Sequence, residues 1–207
     1  MGLEIIGGVA IVLSPPIGIL LALGRRSDMC FLSKLCVILI EFIRGVPLIT
    51  VLFMANIMLP IFLPPGTRID IVLRVMVGVA LFGGAYIAEV VRGGLAAIPK
   101  GQFEAAQSLG LTYWRLMGLI VLPQALRISL PGIVNVLIGM FKDTTLVAIV
   151  GLFDFLNIIR AGTKDPNWLG LEMEGFVFAA SVYWIICFGM SRYSAYLEKK
   201  LDRGRLR

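Results

Sequence analysis

Four groups of polar side chains stand inside otherwise apolar stretches of this sequence. Glu41 and Arg44 are three residues apart, as are Glu89 and Arg92; Asn135 stands alone; Lys142, Asp143 and Thr144 are consecutive. On a helix, an acid and a base at i, i+3 share a face and can satisfy each other. Charges in apolar surroundings also line cavities, where a zwitterion would need partners for both its ends. For Glu41 and Arg44 both readings stand. Glu89 and Arg92, at the end of their apolar run, read as a brace to the polar segment that follows. Asn135 offers either an interhelical hydrogen bond or a contact to a transported molecule. Lys142, Asp143 and Thr144 either cap a helix or line the outer half of a path. Arg127, four residues after Pro123, is expected to snorkel to a boundary. None of this is catalytic chemistry. There is no histidine, so His-based acid–base work and the usual zinc sites are excluded. No G-K-[ST] phosphate loop exists. Cys30, Cys36 and Cys187 lack C-x-x-C spacing and read as packing residues.

The elements that must position these groups are long and apolar. Of 207 residues, 58% are hydrophobic and 15% charged, where soluble chains carry about 25% charged residues. Mean hydropathy is +0.93. At roughly 20 residues per span, the chain has room for five or six spans and no catalytic domain. Five are expected: Ile5 to Gly24; Gly45 to Thr67, extended backward to Leu35; Ile69 to Val91; about Leu116 to Phe141, with Pro123 and Pro131; and Gly175 to Ser191. Lys and Arg orient them. The segments 25–34, 92–115 and 192–207 carry 3, 3 and 6 basic residues, and the alternate segments 60–70 and 141–174 carry 1 and 3. This positive-inside pattern places the N-terminus outside and the C-terminus in the cytoplasm, which requires an odd number of spans. The net charge of +6 is thus a signature of loop topology and not of nucleic-acid binding. The first run begins almost at Met1, so part of the N-terminal portion is expected to be missing. Ser14-Pro15-Pro16 within it is expected to kink the helix.

The loop after the third run, about 92–115, contains a short helix. Pro99 suits a first helical turn, Gln102 to Leu109 favours helix, and Gly110 falls where a left-handed C-terminal cap belongs. Phe103 and Ala106 share a face, with Leu109 and Gly110 close by, while Gln102 and Gln107 offer polar groups. An interfacial helix would carry a Lys/Arg-rich polar face, which this one lacks. A helix docking into a groove of a partner protein fits better.

Here the spacing becomes specific. Glu104-Ala105-Ala106, three residues, Gly110, nine residues, Ile120, one residue and Leu122-Pro123 resemble the EAA loop of ABC-transporter permeases at every fixed position. The segments EFIRGVPLI (41–49), AYIAEVVRGG (85–94), LPQALR (122–127) and KDTTL (142–146) resemble the polar amino-acid uptake branch. GRRSDM, IVGLFDF, DPNWLG and FGMSRYS are similar to the M-type permease of general L-amino-acid importers. Thr145 stands where serine is commoner, and retains the hydroxyl.

The resemblance implies an all-α integral membrane protein with the type I ABC importer permease fold, its whole length a single transmembrane domain. It implies residence in the bacterial inner membrane and half of a translocation pore. The partners it implies are a second, related permease subunit, a dimer of ATPase subunits and a periplasmic amino-acid-binding protein, with membrane lipid around them. The chain itself would hold no cofactor, ATP being bound by the ATPase, and would not be an enzyme. Glu104 would contact the ATPase, Gly110 would make the turn, and Ala105 and Ala106 would allow close approach. Two alternatives remain open: a secondary amino-acid exporter, which has no use for an EAA loop, and an ABC permease for another small polar solute.

Overall fold

The computed structural model describes residues 2–202 apart from 63, 65–68, 153, 167 and 169. The described chain is helical throughout, with no strand. In order come α1 (Gly2–Arg25), α2 (Cys30–Gly45), α3 (Leu48–Phe53), a π segment (Met54–Met58), α4 (Leu59–Ile61) and α5 (Ile71–Ala96). Then follow α6 (Lys100–Ser108), α7 (Tyr113–Leu116), a second π segment (Met117–Val121) and α8 (Leu122–Asp143). A 3-10 turn (Thr144–Val150), α9 (Phe155–Gly162) and α10 (Glu172–Asp202) complete the chain.

Three helical runs among the described residues are long and apolar enough to cross a membrane: Ile71–Ala96, Tyr113–Val150 and Glu172–Lys200. The expected second span takes another form. Cys30–Gly45 and Leu48–Ile61 are separate helices bent by 108°, and count as a fourth crossing only when taken together. The cause is local. Pro47 lacks an N–H and its ring drives the residue before it out of the helical region; Val46 sits at φ −114°, ψ 135°. The apolar run is continuous, but the backbone cannot be. α1, by contrast, passes through Pro15 and Pro16 as one helix. The hydroxyl of Ser14, fully buried, donates to the Ala80 carbonyl of α5 at 3.3 Å.

α5 is the centre of the fold. Its residues join both hydrophobic clusters: Ile87, Ala88, Val91 and Leu95 pack with Ala22, Ile40 and the start of the α8 run, while Val75, Val79 and Phe82 pack with Ile43, Leu48 and Leu52. Between membrane helices there is no hydrophobic driving force, and small residues that let backbones approach closely hold them together. The α1–α5 contact follows this rule. A Cβ on Gly18 would lie 2.6 Å from Ile87 Cγ2 and 2.9 Å from the Gly84 carbonyl oxygen. The α5–α8 contact repeats it at Gly94, where a Cβ would lie 2.6 Å from the Ala125 carbonyl. Gly93, its neighbour, is exposed with nothing within 4 Å. Gly94→Ala is therefore expected to destabilise the protein by about 1–3 kcal/mol, because a backbone carbonyl yields less readily than a side chain. Gly93→Ala, a better helix former at an open position, should leave it unchanged or slightly stabilised. Thermal unfolding of the two variants in detergent checks this, and equal midpoints would refute it.

Candidate functional site

The segment between α5 and α8 is built around one short helix. Ala97 ends α5, and Pro99, at φ −59°, ψ 140°, starts α6 one residue before the helix proper. At the other end the Gly110 N–H donates to the Gln107 carbonyl (2.9 Å) and the Leu111 N–H to the Ala106 carbonyl (3.2 Å). Those two bonds, with Gly110 at φ +71°, form the Schellman motif. No atom crowds a Cβ at Gly110, so the glycine is required by backbone conformation and not by space.

The four residues of the EAA reading divide between two faces. Glu104 and Ala105 are exposed, as is Gly110. Ala106 is 1% exposed and packs into the chain's own core with Leu116 and Met117. Its small size seats the helix on its own subunit, and Ala105 alone of the pair is available for close approach by another. Leu109, grouped with Phe103 and Ala106 in the sequence reading, instead projects outward. Two tethers hold α6 from either side. Gln124 of α8 donates to Gln102 at 3.3 Å. From the end of α1, the Arg26 guanidinium lies 4.7 Å from the Phe103 ring centroid and also donates to the Leu95 carbonyl of α5 at 3.4 Å.

Behind α6 the four expected charges gather, but not in the expected pairs. Glu41 and Arg44 do not meet. Glu41 accepts from Arg25 at 3.4 Å, and Arg44 lies 3.9 Å from Glu89 and 5.5 Å from the Tyr86 ring centroid. Glu89 is the hub. It accepts from Arg25 at 3.0 Å and from Arg92 Nε at 2.8 Å, so the Glu89–Arg92 pair forms, without a bond from it to α6 among the described residues. The i, i+3 rule succeeds for one pair and fails for the other because tertiary partners outcompete it. In the sequence, Arg25 and Arg26 count toward topology and toward the GRRSDM resemblance, with no partners assigned; a double arginine ending a span, with two glutamates in neighbouring spans, was the signal for their role.

The remaining candidates lie on α8 and just beyond. Asn135 is exposed and makes no hydrogen bond among the described residues, so the interhelical bond within this chain is absent. Ile128, Asn135 and Lys142 are exposed at intervals of seven, and Gln124 falls on the same face by the 3.6-residue period. One side of α8 thus carries a line of three polar side chains. Thr144 donates to the Phe141 carbonyl at 2.7 Å, which is a local capping contact, and Asp143 is part-buried without an ion pair among the described residues. Arg127 is exposed near the start of α8. Among the described residues no three His, Cys, Asp or Glu side chains are grouped to hold a metal ion.

This geometry has counterparts. Residues 14–203 match the family model described as the binding-protein-dependent transport system inner membrane component. The inner membrane amino-acid ABC transporter permease protein YhdY of Escherichia coli K12 is 60% identical over 97% of this chain and 55% of its own length. The glutamate/glutamine/aspartate/asparagine transport system permease protein BztC of Rhodobacter capsulatus is 58% identical over 96% of this chain and 46% of its own. The chain thus spans about half the length of these relatives. A crystal structure of an amino acid ABC transporter with histidines superposes with a TM-score of 0.81 at 27% identity, covering 97% of this chain and 90% of that one. A capped helix carrying Glu104-Ala105-Ala106 and Gly110, set between membrane-spanning helices in a chain matched over nearly its whole length, leads to one conclusion: the chain belongs to the inner membrane component family of binding-protein-dependent transport systems, and is a multi-pass inner membrane protein.

Proposed function

We propose that this chain is the permease subunit of an ATP-driven importer of L-amino acids, forming half of the translocation pore and receiving its drive from a separate ATPase. The observation that carries this reading is α6, a helix seated inward by Ala106 and presenting Glu104 and Ala105 outward to a partner. A second permease, an ATPase dimer and a periplasmic amino-acid-binding protein complete the assembly. That YhdY and BztC are amino-acid permease proteins supports an amino-acid cargo.

In this reading five spans run from an outer N-terminus to a cytoplasmic C-terminus, with α1 the first and the bent pair of α2 and α3–α4 the second. The polar line on α8, through Asn135 and Lys142, faces the path, with Asp143 and Thr144 at its outer end. An exposed amide in a span is costly against lipid and inexpensive against a wet path or a second subunit. Glu41 and Arg44 lie in the ionic cluster beside α6 and stand at the cytoplasmic mouth. ATP-driven closure of the ATPase dimer moves α6, and the tethers at Gln124 and Arg26 pass that motion to α8 and α1.

The test is uptake of radiolabelled amino acids into vesicles reconstituted with the permeases, ATPase and binding protein. Uptake is expected only with ATP inside and the binding protein outside. Uptake that survives removal of the ATPase would overturn the reading in favour of a secondary carrier.

A further inference from the structure

The ionic cluster leaves cations unused on its cytoplasmic side. Between the end of α1, the end of α5 and the inner side of α6 lies an open groove of about 590 Å³. Arg25, Arg26, Arg92 and Lys100 line it, against the single carboxylate of Glu104. Even with Glu89 and Glu41 counted against Arg25 and Arg92, the groove is positively charged. Lys100 has no ion pair among the described residues, and Arg26 holds only a carbonyl and a ring. The floor is apolar, made by Ala22, Ile98 and the Phe103 ring among others. Exposed apolar side chains of α2 lie close to the groove. The Ser33 hydroxyl of α2 bonds the Arg25 carbonyl at 2.6 Å, and Met29 and Phe31 beside it are strongly exposed.

Cations above an apolar floor, with exposed apolar side chains close by, match one chemistry: a phosphate carried on hydrocarbon. We propose that this groove binds an anionic phospholipid of the cytoplasmic leaflet, its phosphate among Arg25, Arg26, Arg92 and Lys100. A soluble phosphate would satisfy the cations but leave the floor wet. Basic pockets between spans on the cytoplasmic side are suited to such headgroups, each Lys or Arg near the surface adding to the attraction. Because Phe103 and Lys100 belong to α6, the lipid would sit between the coupling helix and the first span. The inference rests on the proposed placement of α6 at the cytoplasmic surface.

The test uses the assembled permease–ATPase complex from nanodiscs of mixed phosphatidylglycerol and phosphatidylcholine, with retained lipids identified by native mass spectrometry. The wild type is expected to keep phosphatidylglycerol selectively. Arg26→Gln/Lys100→Gln should lower that selectivity by about twenty-five-fold, at roughly fivefold per cation removed. Lys199→Gln/Lys200→Gln on α10, which removes the same charge elsewhere, should not. Equal retention by wild type and groove variant overturns the proposal, as does an equal loss in the α10 variant. Displacement of the lipid by millimolar inorganic phosphate would make this a site for free anions and also overturn it. Lipid retained by the permease pair but expelled from the full complex would assign the groove to an acidic ATPase segment instead. An ATP-driven complex without lipid selectivity removes the lipid site alone. A complex that fails to assemble or to import removes the functional reading.

Discussion

Gly110→Val is expected to cut ATP-driven uptake by about thirty-fold or more while the chain still reaches the membrane. Residue 110 sits at φ +71°, where an L side chain costs roughly 1–2 kcal/mol and a β-branched one is a strong outlier. Escaping that cost breaks the two hydrogen bonds that end α6. A nine-residue helix has little intrinsic stability to lose, so a penalty of about 2–3 kcal/mol falls on the presentation of Glu104 and Ala105. By the usual conversion of 1.4 kcal/mol per decade, that is on the order of 30–100-fold. Asn at 110 tolerates the left-handed region and should stay within about threefold of wild type. The contrast separates conformation from space, since nothing crowds the position. Glu104→Lys should leave α6 folded and still lose the ATPase in co-purification. Val and Asn variants of equal activity, or a Glu104→Lys chain that co-purifies and transports normally, would show that α6 is not the docking element.

Glu89→Gln is expected to lower stability by about 2–3 kcal/mol, the largest effect of any single charge removal in this chain. Three arginines converge on this carboxylate: Arg25, Arg92 and, more distantly, Arg44. Removing one partner of a buried pair costs roughly 3–5 kcal/mol because the other charge is left uncompensated. Here the value is reduced, because the Glu89 side chain is 23% exposed and solvent screens part of the interaction. Arg44 has least recourse, its Nε already buried without a partner. The Arg25→Gln/Glu89→Gln double variant should recover part of the loss, since it removes one orphaned cation. Thermal unfolding in detergent measures all three chains. An unchanged midpoint for Glu89→Gln would mean that the cluster holds nothing together.

The sequence showed α1, α5, α8 and α10 by apolar length, and α6 by a proline, a glycine and the composition between them. It concealed the break at Val46–Pro47 from any reading based on hydropathy, because the bend costs no polarity. Pro47 marked it all the same. α9 and the 3-10 turn at Thr144–Val150 were not anticipated, although Asp154 caps α9 by accepting from the Leu156 and Asn157 N–H groups. In the site, the turn at Gly110 was legible from spacing because its role is local. The partners of Glu41 and Arg44 were not, since they depend on which span ends lie side by side. The face of α8 was present in the numbers 128, 135 and 142, yet from the sequence Asn135 and Lys142 are treated separately and Ile128 is not considered.

α5 and α10 answer to different solvents. α5 is lined by other helices, which at Gly84 and Gly94 come so close that only glycine fits. α10 runs 31 residues, and most of its large side chains, among them the stacked pair Trp184 and Phe188, lie open on the chain's surface. Shape governs the first: one methylene too many displaces a neighbour. Partition governs the second: an exposed Phe188→Leu exchange keeps its preference for hydrocarbon, while an added charge forfeits insertion. The same amino-acid change can therefore be a packing defect in one helix and a trafficking defect in the other. The two would be found by different assays, one in the folded protein and one at the moment the chain enters the bilayer.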